Sequence, residues 1–95
     1  MTSLKEQLKA DLTQAIKDKN SLVSGTLRMA LTAITNEEVS GKQARELSDV
    51  EVLSVLTKEA KKRKESVDSY QQANRNDLAD QETAELEVLS KYLPE

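Results

Sequence analysis

The sequence has no cysteine, histidine, phenylalanine or tryptophan, and only two tyrosines, two glycines and one proline among 95 residues. Without cysteine or histidine there is no thiol chemistry, no Ser-His-Asp triad, no imidazole base and none of the usual zinc sites. Two glycines are too few for a glycine-rich phosphate loop, so no nucleotide cofactor is expected, and no metal. So few aromatic rings disfavour a single-stranded nucleic-acid binder that stacks bases on aromatic platforms. The lack of cysteine also removes any disulfide framework and fits a reducing compartment. Residues 1–8, Met-Thr-Ser-Leu-Lys-Glu-Gln-Leu, carry charge from position 5 and lack the apolar centre of a secretory leader. No apolar run approaches the ~20 residues that span a bilayer. Together these features predict a cytoplasmic protein with no membrane association.

What the chain does have is charge, and unevenly placed. The net charge is −3. Yet residues 58–64 read Lys-Glu-Ala-Lys-Lys-Arg-Lys, while 77–95 is strongly acidic. A mildly acidic protein has little general affinity for nucleic acid, so no DNA binding is expected. Any RNA contact has to come from a local patch.

The apolar pattern is helical throughout. Leu4, Leu8, Leu12, Ala15 and Ile16 make one stripe, behind a Ser3–Glu6 capping-box pattern. Residues 18–20 break it. A second helix is expected from Ser21, as N-cap, to Val39, with Val23, Leu27, Ala30, Leu31 and Ile34 on one face. Gly25 sits early in that helix, and close packing against a neighbour is the expected reason for it. Residues 40–47 read as a loop. Ser48 and Glu51 form a second capping box, opening a third helix to about Ala73. Val50, Val52 and Val55 would suit a strand, but the cap and the Leu53, Leu56, Ala60, Val67 spacing favour helix. After a turn at 74–76, a fourth helix is expected over Asp77–Tyr92, with Leu78, Leu86, Leu89 and Leu93 as its stripe and Pro94 ending it. Short connections make consecutive helices antiparallel neighbours. The fold class is therefore all-α, a compact bundle of about four helices with the third and fourth as an antiparallel hairpin.

Placing residues at about 100° per step divides the basic run. Lys58, Lys61 and Lys62 fall on the solvent side. Arg63 falls inside the stripe of Leu56, Ala60 and Val67. On the fourth helix Glu82 and Glu85 intrude on the leucine stripe. In a hairpin turning near Arg75, Arg63 lies opposite residues 85–87, which predicts an Arg63–Glu85 ion pair, with Glu82 the alternative partner. The expected role is structural, fixing the register of the two helices.

The lysine face has two readings. One is a solvated surface with Glu65 supporting Lys61 at i+4. The other is a ridge that follows a nucleic-acid backbone without reading bases, extended by Lys64 and Arg75. The many carboxylates are accounted for by caps, helix dipoles and surface pairs; Asp77 and Asp80, for instance, sit in a first helical turn. No catalytic constellation emerges.

Three segments carry a family resemblance. They are Leu27-Arg28-Met29 with Ala33-Ile34 and Asn36-Glu37; Arg63-Lys64-x-Ser66-Val67-x-x-Tyr70-x-x-Ala73-x-Arg75-x-Asp77-Leu78; and Glu85-x-x-Val88-Leu89-x-x-Tyr92-Leu93-Pro94. In order and spacing the chain resembles the YqeY (GatB/YqeY-like) family, which is itself similar to the C-terminal tail of the B subunit of tRNA-dependent amidotransferases. The resemblance implies a module that helps hold tRNA. By family label it relates to glutamine-dependent aspartyl/glutamyl-tRNA amidotransferase, a carbon–nitrogen ligase whose chemistry resides in other domains. It implies tRNA contact at Lys61, Lys62, Lys64 and Arg75, and more weakly at Arg28; the lysine-face reading adds Lys58. Alternatively the module docks onto an amidotransferase or an aminoacyl-tRNA synthetase. Members usually continue past Tyr-Leu-Pro into a smaller helical domain, so residues 1–95 would correspond to the N-terminal domain. The family usually has glycine where Asn74 stands; asparagine tolerates the left-handed helix end, so the turn should survive.

Overall fold

In a computed structural model, which describes residues 3–94, four helices follow one another: α1 (Leu4–Lys17), α2 (Ser21–Glu38), α3 (Asp49–Gln72) and α4 (Asn76–Ser90). No strand occurs among the described residues, and Val50, Val52 and Val55 are helical. The capping box sets the start of α3. Ser48 Oγ accepts from the Glu51 N–H at 3.3 Å, and Glu51 Oε1 accepts from the Ser48 N–H at 3.1 Å. Two of the first-turn donors that a helix leaves free are satisfied in this way. At α1, Ser3 Oγ accepts from the Glu6 N–H at 3.1 Å.

Both tight helix–helix connections are built alike. After α1, the Asn20 N–H reaches Ala15 O at 2.9 Å and the Lys19 N–H reaches Ile16 O at 3.1 Å. After α3, the Arg75 N–H reaches Tyr70 O at 2.8 Å and the Asn74 N–H reaches Gln71 O at 3.1 Å. These are Schellman ends, and each needs a left-handed residue, here Lys19 (φ 57°) and Asn74 (φ 59°). Asn20 then caps α2 by accepting from the Val23 N–H at 3.1 Å, so the cap is Asn20 and not Ser21. Asparagine and serine cap about equally well, and the Schellman end delivers the asparagine to that position.

The core is Leu8, Leu27, Ala30, Ile34, Leu47, Val52, Val55, Leu56, Val88 and Leu89. Leu47 closes the 39–48 connection by burying itself in the core. Glu38, at the end of α2, completes that closure. It pairs with Lys5 Nζ at 2.9 Å and accepts from the Leu47 N–H at 3.3 Å. The α3–α4 hairpin is the most extensive helix pairing.

Several expectations about packing need correction. Ile16 is 49 % exposed and lies outside the core. On α4 the most deeply buried residues are Ala79, Glu85, Val88 and Leu89, with Leu78 and Leu86, and Leu93 beyond its end, only half-buried. Nor does Gly25 mark a close helix approach. A Cβ added there meets nothing within 4 Å. α4 ends at Ser90, so Tyr92 lies just beyond it.

Candidate nucleic-acid interface on the third helix

α3 presents its charges in two directions. Lys58, Lys61, Lys62 and Lys64 are exposed, whereas Arg63 is only 7 % exposed. The division follows from helix geometry. Arg63 continues the line of Leu56 and Ala60, and its flanking lysines sit about 100° to either side.

Inside, the Arg63 Nε–H donates to Glu85 Oε1 at 3.2 Å, and Glu85 is 6 % exposed. The Arg63 Nη1–H donates to the Glu59 carbonyl at 3.1 Å and lies 3.5 Å from Glu59 Oε1. The Arg63 Nη2–H points to Met29 Sδ at 3.6 Å, which ties α2 to the hairpin. Gln81 Nε2 donates to Glu85 Oε2 at 3.4 Å. No buried side-chain nitrogen or oxygen among the described residues lacks a partner. Glu82 makes no ion pair here. Burial, with the Glu85 charge adding to it, pushes its pKa above the ordinary carboxylate value, while Arg63 partly opposes the shift. Glu59, Met29 and Gln81 were not read from the sequence. Glu59 was accessible to it, standing at i−4 from Arg63 and i−3 from Lys62.

Outside, Lys62 Nζ lies 3.1 Å from Glu59 Oε2, with the Lys62 side chain 74 % exposed. Among the described residues Lys58, Lys61 and Lys64 make no ion pair within 4 Å, so the Lys61–Glu65 support does not form. Arg75 stands beyond the end of α3, at the N-cap of α4, eleven positions after Lys64. It pairs with Asp77 at 3.3 Å, both side chains being well exposed. That pairing raises the Arg75 pKa and lowers that of Asp77. Arg28 belongs to a different face. It lies between two shallow depressions along α1 and α2, of about 380 and 290 Å³, bordered by Leu12 and Leu31 on one side and Ala15 and Ile16 on the other. The six cationic candidates therefore fall into an α3 ridge, an outlying Arg75 and a separate Arg28.

No group of acidic residues able to hold a metal ion occurs among the described residues. No helix among them is long and apolar enough to cross a membrane.

Comparison with known proteins gives a consistent result. The chain is 37 % identical to the altered inheritance of mitochondria protein 41, mitochondrial, of Clavispora lusitaniae, over 96 % of this chain and 52 % of that protein. It is 33 % identical to the protein of the same name in Saccharomyces cerevisiae, over 90 % of this chain and 46 % of that one. It is also 32 % identical to an uncharacterised Schizosaccharomyces pombe protein, covering 98 % of this chain and 74 % of the relative. The chain thus spans about half the length of the first two relatives. Their mitochondrial designation overturns the cytoplasmic placement expected from the sequence. That expectation rested on missing cysteine and a missing apolar leader, and neither separates a cytoplasm from a mitochondrial interior. None of these names states a catalytic activity. The profile of the Yqey-like proteins matches residues 5–95, and the chain belongs to that family.

Proposed function

We propose that this chain is a non-catalytic helical module that holds RNA, tRNA being the class implied by its resemblance to the amidotransferase tail, through phosphate contacts along α3. One observation carries the reading. Four lysines within one run are exposed, while the arginine among them is turned inward and neutralised. The run therefore offers compact, strongly hydrated ammonium groups outward, suited to phosphate as point charges. Its bidentate-capable guanidinium is committed to the core. A surface of this kind contacts the shape and backbone of folded RNA without reading sequence.

The test is filter binding with total tRNA at low salt. The wild-type chain should be retained, with affinity falling steeply as salt rises, because each phosphate contact releases counterions. The Lys61→Glu/Lys62→Glu variant should bind at least about tenfold more weakly. Equal retention of that variant would count against the reading.

A second reading is a module that docks onto a larger protein such as an amidotransferase or aminoacyl-tRNA synthetase. It is favoured by the half-apolar α1–α2 groove around Arg28, which makes no ion pair among the described residues. A partner retained in pull-downs after nuclease treatment, and lost in Arg28→Glu, would support it.

A further inference from the structure

Next to the lysines, α3 carries a polar depression of about 520 Å³ bordered by Lys62, Glu65, Ser66, Ser69 and Tyr70. Its hydroxyls differ from many others on these helices in having no intramolecular partner. Thr13, Thr26, Thr57, Thr83 and Ser90 each turn back to the carbonyl four residues earlier, at 2.8–3.1 Å. Tyr92 Oη donates to Asp11. Ser66, Ser69 and Tyr70 make no such bond among the described residues, so three O–H donors remain available beside the Lys62 ammonium. Ser21, Thr32, Thr35 and Ser54 are likewise free, but none of them borders this depression. Tyr70 stands in the last turn of α3, where its carbonyl accepts from the Arg75 N–H at 2.8 Å. The depression lies along α3 between the lysines and the end of the helix that precedes Arg75.

We infer that Ser66, Ser69 and Tyr70 form a neutral donor track that continues the RNA-phosphate contact of Lys58 and Lys62 toward Arg75, an inference that rests on the RNA-holding reading above. The chemistry is apt. A hydroxyl donates to a phosphate oxygen and positions the backbone without adding charge, and serine and tyrosine hydroxyls are regular phosphate contacts. Lys58, Lys62, Ser66 and Ser69 follow one another at i+4, i+4 and i+3, so they line one side of the helix over about 16 Å. Glu65, one turn beyond Lys61 and Lys62, is the one carboxylate on the border. It disfavours a small free anion, whereas an extended polyanion held by the lysines before it and by Arg75 beyond it still gains from the track.

The experiment compares tRNA binding by the wild-type 95-residue chain with Ser66→Ala/Ser69→Ala/Tyr70→Phe across a salt series. Alanine favours helix and phenylalanine keeps the ring, so the variant should fold; circular dichroism checks this. Expected is a loss of about tenfold in affinity at every salt concentration, with the slope of log K against log salt unchanged, because no counterion release is lost. Lys58→Ala/Lys62→Ala should instead lower the slope. A triple variant that binds like wild type would overturn the hydroxyl track while leaving the lysine ridge standing. A triple variant with a reduced slope would also overturn it. Absence of binding by the wild-type chain would overturn both.

Discussion

Replacing Arg63 with methionine keeps most of the side-chain volume and removes the charge. In the native fold the Arg63 and Glu85 side chains are each 8 % exposed, with Nε and Oε1 3.2 Å apart. At an effective dielectric constant near 20 their direct attraction is about 5 kcal/mol. Removing two ions from water costs several kcal/mol each, so the pair as a whole contributes little net stability. Losing one member is different. In Arg63→Met, Glu85 stays buried without its cation, beside Glu59 and Glu82. The general cost of breaking such a pair is about 3–5 kcal/mol. Gln81 still donates to Glu85, and Lys62 still serves Glu59, so a value near 3 kcal/mol is expected. The total stability of a 95-residue chain is about 5–14 kcal/mol, so this is a large fraction. Urea denaturation followed by circular dichroism measures it, and an unchanged slope keeps the comparison valid. The double variant Arg63→Met/Glu85→Leu should return to within about 1 kcal/mol of wild type, because both charges leave together. A single variant that loses less than about 1 kcal/mol would refute the argument, and so would a double variant as unstable as the sum of the singles.

Three further outcomes follow from local geometry. Gly25→Ala should stabilise by about 0.5–1 kcal/mol, because a methyl group there meets nothing within 4 Å and the helix gains from lower unfolded-state freedom; thermal unfolding checks it. Lys19→Gly should stabilise by about 1 kcal/mol in the same assay, because it relieves a left-handed backbone at φ 57°. Glu51, held by Arg45 and by the Ser48 N–H, has its pKa lowered to about 2 from an ordinary 4.5. Its folded pKa is depressed, so its contribution is full above pH 4.5 and disappears as pH falls toward 2. Wild type should therefore exceed Glu51→Gln in stability at pH 6 and match it near pH 2.

Much of this fold is legible in the chain because capping and periodicity are local. Ser48 and Glu51 are three residues apart and need no tertiary information to form their reciprocal cap. The inward turn of Arg63 is legible for the same reason, since its angle on α3 is set by Leu56 and Ala60. What escaped depends on distant contacts. Leu47 sits in an irregular segment where no period marks it as core, and its burial is organised by Glu38 and Lys5 from other helices. Ile16 shares an apolar stripe with Leu8 but borders the shallow depression between α1 and α2 and stays half exposed. Gly25 suggests close packing in sequence and has none in space. Arg28 and Arg75 could not be separated from the lysine ridge without knowing how the helices cross, and the free hydroxyls of Ser66, Ser69 and Tyr70 become visible only once the hydrogen bonds of the other helical hydroxyls are known.

The central claim is that RNA lies along the outer face of α3. Ultraviolet crosslinking in cells, followed by mass spectrometry of the peptides that carry nucleotide, tests it most directly. Nucleotide adducts concentrated in residues 58–75 are expected. Adducts confined to α1 and α2, or recovery of crosslinked protein partners with no RNA, would contradict it.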